Sequence, residues 1–303
     1  MRVCTAVAVA WAAVMAGAAP AAPSAIALDA PLQQSVDALL HLGAVAPFSR
    51  PLVLESRLDG GQVSAVAEGL IERPFGDVAA ALVDARHWCA LLILHINNKG
   101  CAVTSPGGHP HIALKVARKY DQPVDQAFEF DFAVQVLKAS ANELAVSLEA
   151  PHGPMGTSDY GIHLDAVPAG DARTAVRLSY AYKQGSLTGW GMDLYMATVG
   201  RGKVGFSLVS PGSGKPAELV SGLRGLLERN LMRYFLAIDA AANTPAAARP
   251  EAYERRLRDW FAATEKYPRQ LHEIDLETYL ALKRSLQAVG VLPGVAPASG
   301  RGP

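Results

Sequence analysis

Between residues 112 and 182 the chain alternates in hydrophobicity with a period of two. Ile112, Leu114 and Val116 alternate with Ala113, Lys115 and Ala117. Phe128, Phe130, Phe132, Val134 and Val136 alternate with Glu129, Asp131, Ala133 and Gln135. The same rhythm returns at Leu144, Val146 and Leu148, at Tyr160, Ile162 and Leu164, and at Val176, Leu178, Tyr180 and Tyr182. Residues 139–142 and 168–171 carry the turn residues between them. Strand after strand with one apolar face and short connections predicts an antiparallel meander. Upstream, runs at 52–58 and 63–71 flank Asp59-Gly60-Gly61, a hairpin signal. Pro74 then opens a helix with Phe75, Val78, Leu82 and Val83 at helical spacing, and Trp88, Leu91 and Leu92 mark a second short one.

Downstream the pattern over 190–199 fits helix or strand, with helix favoured, followed by a turn at 200–203, a last strand at 204–209 and a loop at 211–216. Val220, Leu223, Leu227, Leu231, Tyr234 and Ile238 form a stripe at three-four spacing, which predicts a long helix. Glu228, Arg229 and Arg233 read as solvated helix-face charges or ion pairs. Residues 240–250 read as a linker. Tyr253, Leu257, Trp260 and Phe261 predict a further helix, and Asp275 caps a last one. The expected organisation is a leader at 1–27, a helical segment at 28–51, a main domain at 52–240, a helical extension at 250–288 and a disordered tail at 289–303.

The leader assignment rests on Arg2, the only charge before Asp29, followed by an Ala/Val-rich run and the Ala25-Ile26-Ala27 pattern; Ala16-Gly17-Ala18 is a second cleavage candidate. A retained membrane anchor is the alternative, disfavoured by Gly17 and Pro20 in an Ala-rich run. Export places the mature chain in the periplasm or outside the cell. It leaves Cys89 and Cys101, which an oxidising compartment can join at a gain of about 3 kcal/mol. The competing readings are buried free thiols, or a nucleophile near His87 or His95.

Lys plus Arg and Asp plus Glu are 28 each over 303 residues, so the bulk charge gives no reason to expect nucleic acid as a partner. Three cysteines exclude a disulfide-dense scaffold. His109, His111, His152 and His163 lack a recognisable acidic partner spacing, so no metal and no cofactor are expected. Gly212-Ser213-Gly214-Lys215 fails the phosphate-loop pattern because Pro216 follows. No paired carboxylates or Ser-His-Asp set names a catalytic residue.

The element order resembles the START-like (SRPBCC) helix-grip superfamily, which includes lipid carriers and polyketide cyclases. The residues that carry the resemblance are the helix of 74–85 with His87-Trp88-Cys89, the run Asp159-Tyr160-Gly161-Ile162-His163, the stretch 195–206 and Glu228-Arg229-Asn230. It covers 52–240 and implies an α+β fold, with a curved antiparallel sheet wrapped around a long C-terminal α-helix and an apolar cavity between them. The helices at 250–288 are extra to it.

A single helix cannot fill the concave side of a strongly curved sheet, so the remaining space is either packed or kept for a ligand. Phe128, Phe130, Phe132, Tyr180 and Tyr182 are the candidate lining, with ordinary core as the alternative. Arg201 and Lys203 either meet an anionic headgroup at the cavity mouth or sit on a solvated turn. Three functions stay open: an exported carrier of a lipid or other apolar small molecule, a cavity enzyme of cyclase or hydratase type, and a ligand-free envelope module. The last would dock a partner protein through exposed Tyr253, Trp260, Phe261, Tyr267 and Tyr279.

Overall fold

The computed structural model describes residues 30–44, 47–185, 202–209, 216–244 and 250–288. The expectations for the leader, the helix at 190–199, Arg201, most of the loop at 211–216 and the tail fall outside the described residues.

The alternating segments form one antiparallel sheet. Its strands are β1 (Leu52–Asp59), β2 (Gln62–Ile71), β3 (Asn98–Thr104), β4 (His111–Val116), β5 (Phe128–Ala139), β6 (Leu144–His152), β7 (Ser158–Pro168) and β8 (Thr174–Lys183), in the order β1-β2-β8-β7-β6-β5-β4-β3. Gly60 and Gly61 close the first hairpin at φ 54° and 82°, the left-handed pair a two-residue turn needs to match strand twist. Register shifts at Asn98/Gly100, Val136/Lys138 and Ser158/Gly161 bend the sheet.

The apolar stripe of the long helix, α4 (Gly222–Asn243), lies against β1, β2 and β8. Phe235 crosses β2 so closely that a side-chain carbon on Gly69 would meet its ring at 2.9 Å, so only glycine lets the helix approach this near. Helices α2 (Phe75–Leu82) and α3 (Ala85–Leu92) close another side, and Trp88 is buried with its indole donating to the Leu82 carbonyl at 2.7 Å. Cys89 of α3 and Cys101 of β3 form a disulfide, Cα–Cα 5.5 Å. The N-terminal helix α1 (Leu32–His41) covers the sheet's outer face, packing Leu32, Val36 and Leu39 on Leu70, Val167 and Ala175.

Asn98 and Lys99 begin an edge strand and are buried, because Asn98 Nδ2 donates to the Leu92 carbonyl (2.7 Å) and Lys99 to that of Tyr120. Two expectations are corrected. The strand at 204–209 shrinks to β9 (Leu208–Val209), paired with β10 (Glu218–Leu219). The linker at 240–250 begins later, since α4 continues through Asn243.

The extension comprises α5 (Pro250–Thr264), α6 (Pro268–Leu271) and α7 (Leu276–Ala288). Trp260, Tyr267 and Tyr279 are buried and Tyr253 and Phe261 half-buried, all within the main core. The aromatic face expected to await a partner is thus covered by the chain itself. The Trp260 indole donates to the Arg233 carbonyl (2.9 Å) and the Tyr279 hydroxyl to that of Leu94 (2.8 Å), which tie the extension to α4 and to the end of α3. No helix among the described residues is long and apolar enough to cross a membrane.

Candidate functional site

A cavity of about 470 Å³ lies between the concave sheet face and α4. Period-two alternation places Leu114, Phe130, Phe132, Ile162 and Tyr180 on its wall. Leu226, Asn230 and Tyr234 enter from α4 one turn apart, because residues three and four apart share a helix face. The mouth is formed by the exposed Arg118, Lys119 and Asp121 of the β4–β5 connection and by Met155, which holds φ 58° in the β6–β7 turn.

Four of the candidate residues line the cavity: Phe130, Phe132, Tyr180 and Lys203. Phe128 and Tyr182 stand outside the lining. The Arg118 guanidinium lies 5.7 Å over the Phe128 ring. Tyr182 stacks on Tyr160 at 5.1 Å, and Tyr160 meets Phe130 edge-on at 4.9 Å, so the two tyrosines flank the wall on the same sheet face. Arg201 lies outside the described residues.

The other end of the cavity is polar. Glu273 accepts from Lys203 (3.0 and 3.1 Å), Arg229 (2.5 Å) and Arg233 (3.0 Å), with both guanidiniums buried. Burial pushes the Glu273 carboxyl up, but the three cations outweigh it and hold the group below the usual carboxylate range. Arg229 and Arg233 are therefore buried ion-pair partners rather than solvated charges. Glu228 is likewise fully buried: it accepts from Ser56 Oγ (2.5 Å) and from the backbone N–H groups of Phe206 (2.6 Å) and Ser207 (2.9 Å), fastening the segment after residue 202 to α4 and β1.

Sequence reading missed His95, Asn230 and Tyr234 as lining residues. His95 is buried, and burial together with the neighbouring Arg233 and Lys283 holds its imidazole well below the usual histidine range, so it stays neutral. Its ring lies 5.2 Å from that of Tyr234. Tyr234 in turn meets Tyr180 edge-on at 6.3 Å. Burial pushes the phenols of Tyr180 and Tyr234 up, so both are hydroxyl groups at neutral pH. His163 sits exposed on the outer face, and His111 pairs with Asp131 at 2.9 Å. Among the described residues no group of three or more His, Cys, Asp or Glu is placed to hold a metal ion.

An eight-stranded antiparallel sheet gripping a long C-terminal helix, with α2 and α3 inserted after the first hairpin and a cavity between sheet and helix, decides the architecture. The fold is the START-like helix grip. No family model matches the chain, and no curated protein matches it in sequence. Solved structures are similar to it at low identity. A Thermus thermophilus protein shares 13% identity over 60% of this chain and 98% of that one, TM-score 0.39. A START superfamily protein from Mycobacterium smegmatis shares 15% over 46% and 89%, TM-score 0.32. Human StAR-related lipid transfer protein 5 shares 10% over 70% and 96%, TM-score 0.34. Outside the sheet and the long helix, α1 covers the outer face and α5–α7 pack behind α4.

Proposed function

We propose that this protein binds an apolar small molecule, of lipid size and character, in the cavity between sheet and α4, and acts as a carrier after export. The observation that carries the reading is the cavity itself. Its volume of about 470 Å³ falls within the range of roughly 300–1,000 Å³ typical of small-molecule sites. Its wall is aromatic and aliphatic, with charged and polar groups at the mouth and at the other end, which suits an amphiphile lying with its apolar body on the sheet. Burial of the ligand's apolar surface would supply about 2.5 kcal/mol per 100 Å². The leader-like N-terminus and the Cys89–Cys101 disulfide both support an oxidising compartment outside the cytoplasm.

Native mass spectrometry of the full chain expressed with its leader tests this reading, followed by organic extraction. A mature mass beginning at Leu28, carrying a stoichiometric apolar ligand, is the expected result. A ligand-free mass with no uptake from a total lipid extract would overturn it.

A further inference from the structure

The hydrogen-bond inventory of the cavity narrows the ligand class, an inference that rests on the binding reading above. It starts from a donor whose direction is fixed. The backbone N–H of Asn97 points at His95 Nδ1, 3.2 Å away, so that nitrogen carries the lone pair. The neutral imidazole therefore holds its proton on Nε2, which lies 3.3 Å from Asn230 Oδ1. Asn230 thus turns its carbonyl toward His95, and its amide N–H groups remain for the cavity it lines.

From the opposite wall comes Tyr180. It lines the cavity, and among the described residues its hydroxyl makes no hydrogen bond. Tyr234, one helical turn from Asn230, packs edge-on against Tyr180 at 6.3 Å, its oxygen already 3.5 Å from the amide nitrogen of Asn98. Acceptors are scarcer. The Glu273 carboxylate is held by three cations, and Asp121 is exposed at the mouth. A polar group entering this space meets the Asn230 amide N–H groups, which can only donate, and the Tyr180 hydroxyl, which can donate as well as accept.

We propose that the cavity recognises a neutral carbonyl oxygen through the Tyr180 hydroxyl and the Asn230 amide, so that the ligand class is an apolar ketone or ester. Neutral donors match a neutral acceptor, whereas a carboxylate would be expected to seek the guanidiniums that Glu273 already holds. Tyr180 is the cleaner probe, because removing its hydroxyl breaks no hydrogen bond among the described residues.

The test uses the full chain and three dimethylamino-naphthalene probes: an alkyl ketone, its analogue with a methylene in place of the carbonyl, and the corresponding naphthoate. Wild type should bind the ketone about tenfold more tightly than the methylene analogue, the effect of one to two net hydrogen bonds. The carbonyl stretch of the bound ketone should fall to lower frequency. Tyr180→Phe and Asn230→Ala should each narrow the affinity gap and raise that frequency, while a cooperative urea transition like that of wild type reports that each variant is folded. Equal affinities in wild type, or a gap that both variants preserve, overturn carbonyl recognition and leave the cavity reading standing. Preference for the naphthoate overturns it in favour of an anion site. Failure of every probe to bind, with a ligand-free native mass, overturns both.

Discussion

Two ionic residues, one half-buried and one fully buried, set measurable pH dependences. Glu273 lies under Arg229 and Arg233, so Glu273→Gln removes a carboxylate from a buried pair and should cost about 3 kcal/mol at neutral pH by urea denaturation. Its folded-state pKa is depressed below the ordinary 4.5, so this stability is fully present above pH 4.5 and is lost as pH falls through the folded value. The difference between wild type and variant should therefore close in acid. Lys283 is the converse case. It is fully buried and donates to the carbonyls of His95 (2.7 Å) and Asn98 (2.9 Å), and burial, with Lys99 nearby, holds its ammonium well below the usual lysine range. The unfolded chain then binds the extra proton below pH 10.5, so wild-type stability relative to Lys283→Met should rise as pH is raised toward that value. Residue types alone do not disclose either site. Glu228, Arg229 and Arg233 look like a solvated helix face because their partners, Ser56 and Glu273, are 172, 44 and 40 residues away in the chain. Phe130, Phe132 and Tyr180 were legible because strand periodicity assigns a face; His95 lies in a connection where no period assigns one, and Asn230 is a polar residue one turn from the apolar stripe member Tyr234.

At the scale of elements, the strands with one apolar face were readable almost residue by residue, from β1 through β8, since burial on one side leaves alternation in the letters. The exception is β3, which was not predicted at all: its opening Asn98-Lys99-Gly100 is polar yet buried, its side chains satisfied by carbonyls that only the folded chain brings near. The placement of α5–α7 was also hidden: an amphipathic helix announces an apolar face without naming what covers it. The disulfide gives this level its own prediction. It closes a short loop, with a sequence separation of 12, between α3 and the edge strand. Replacing both cysteines by alanine should lower unfolding free energy by about 3 kcal/mol, seen as a shift in urea midpoint with little change in slope.

At the scale of the molecule, the cavity sits where one helix fails to fill a bent eight-stranded sheet. Lengthening a bound alkyl ketone by one methylene should tighten binding about fourfold, from roughly 0.8 kcal/mol per buried methylene, until the ligand fills about 470 Å³. Calorimetry across a homologous series would show this as a linear rise with an abrupt plateau, and a flat series would place the chain outside the cavity. The strand order bears on how the molecule is assembled as well as on what it holds. The first hairpin obtains its second neighbour only when β2 meets β8, and Glu68 and Arg177, paired across that seam, are 109 residues apart. Such distant pairings slow folding, because the chain must close a long loop before the contact rewards it. Until β8 has been synthesised, β2 presents an open strand edge, the kind of surface that recruits other chains. The cysteines, by contrast, are near neighbours and can be oxidised long before the seam closes. A refolding time course should therefore show disulfide formation running ahead of burial of Leu70 and Ala67, with aggregation competing throughout the interval between them.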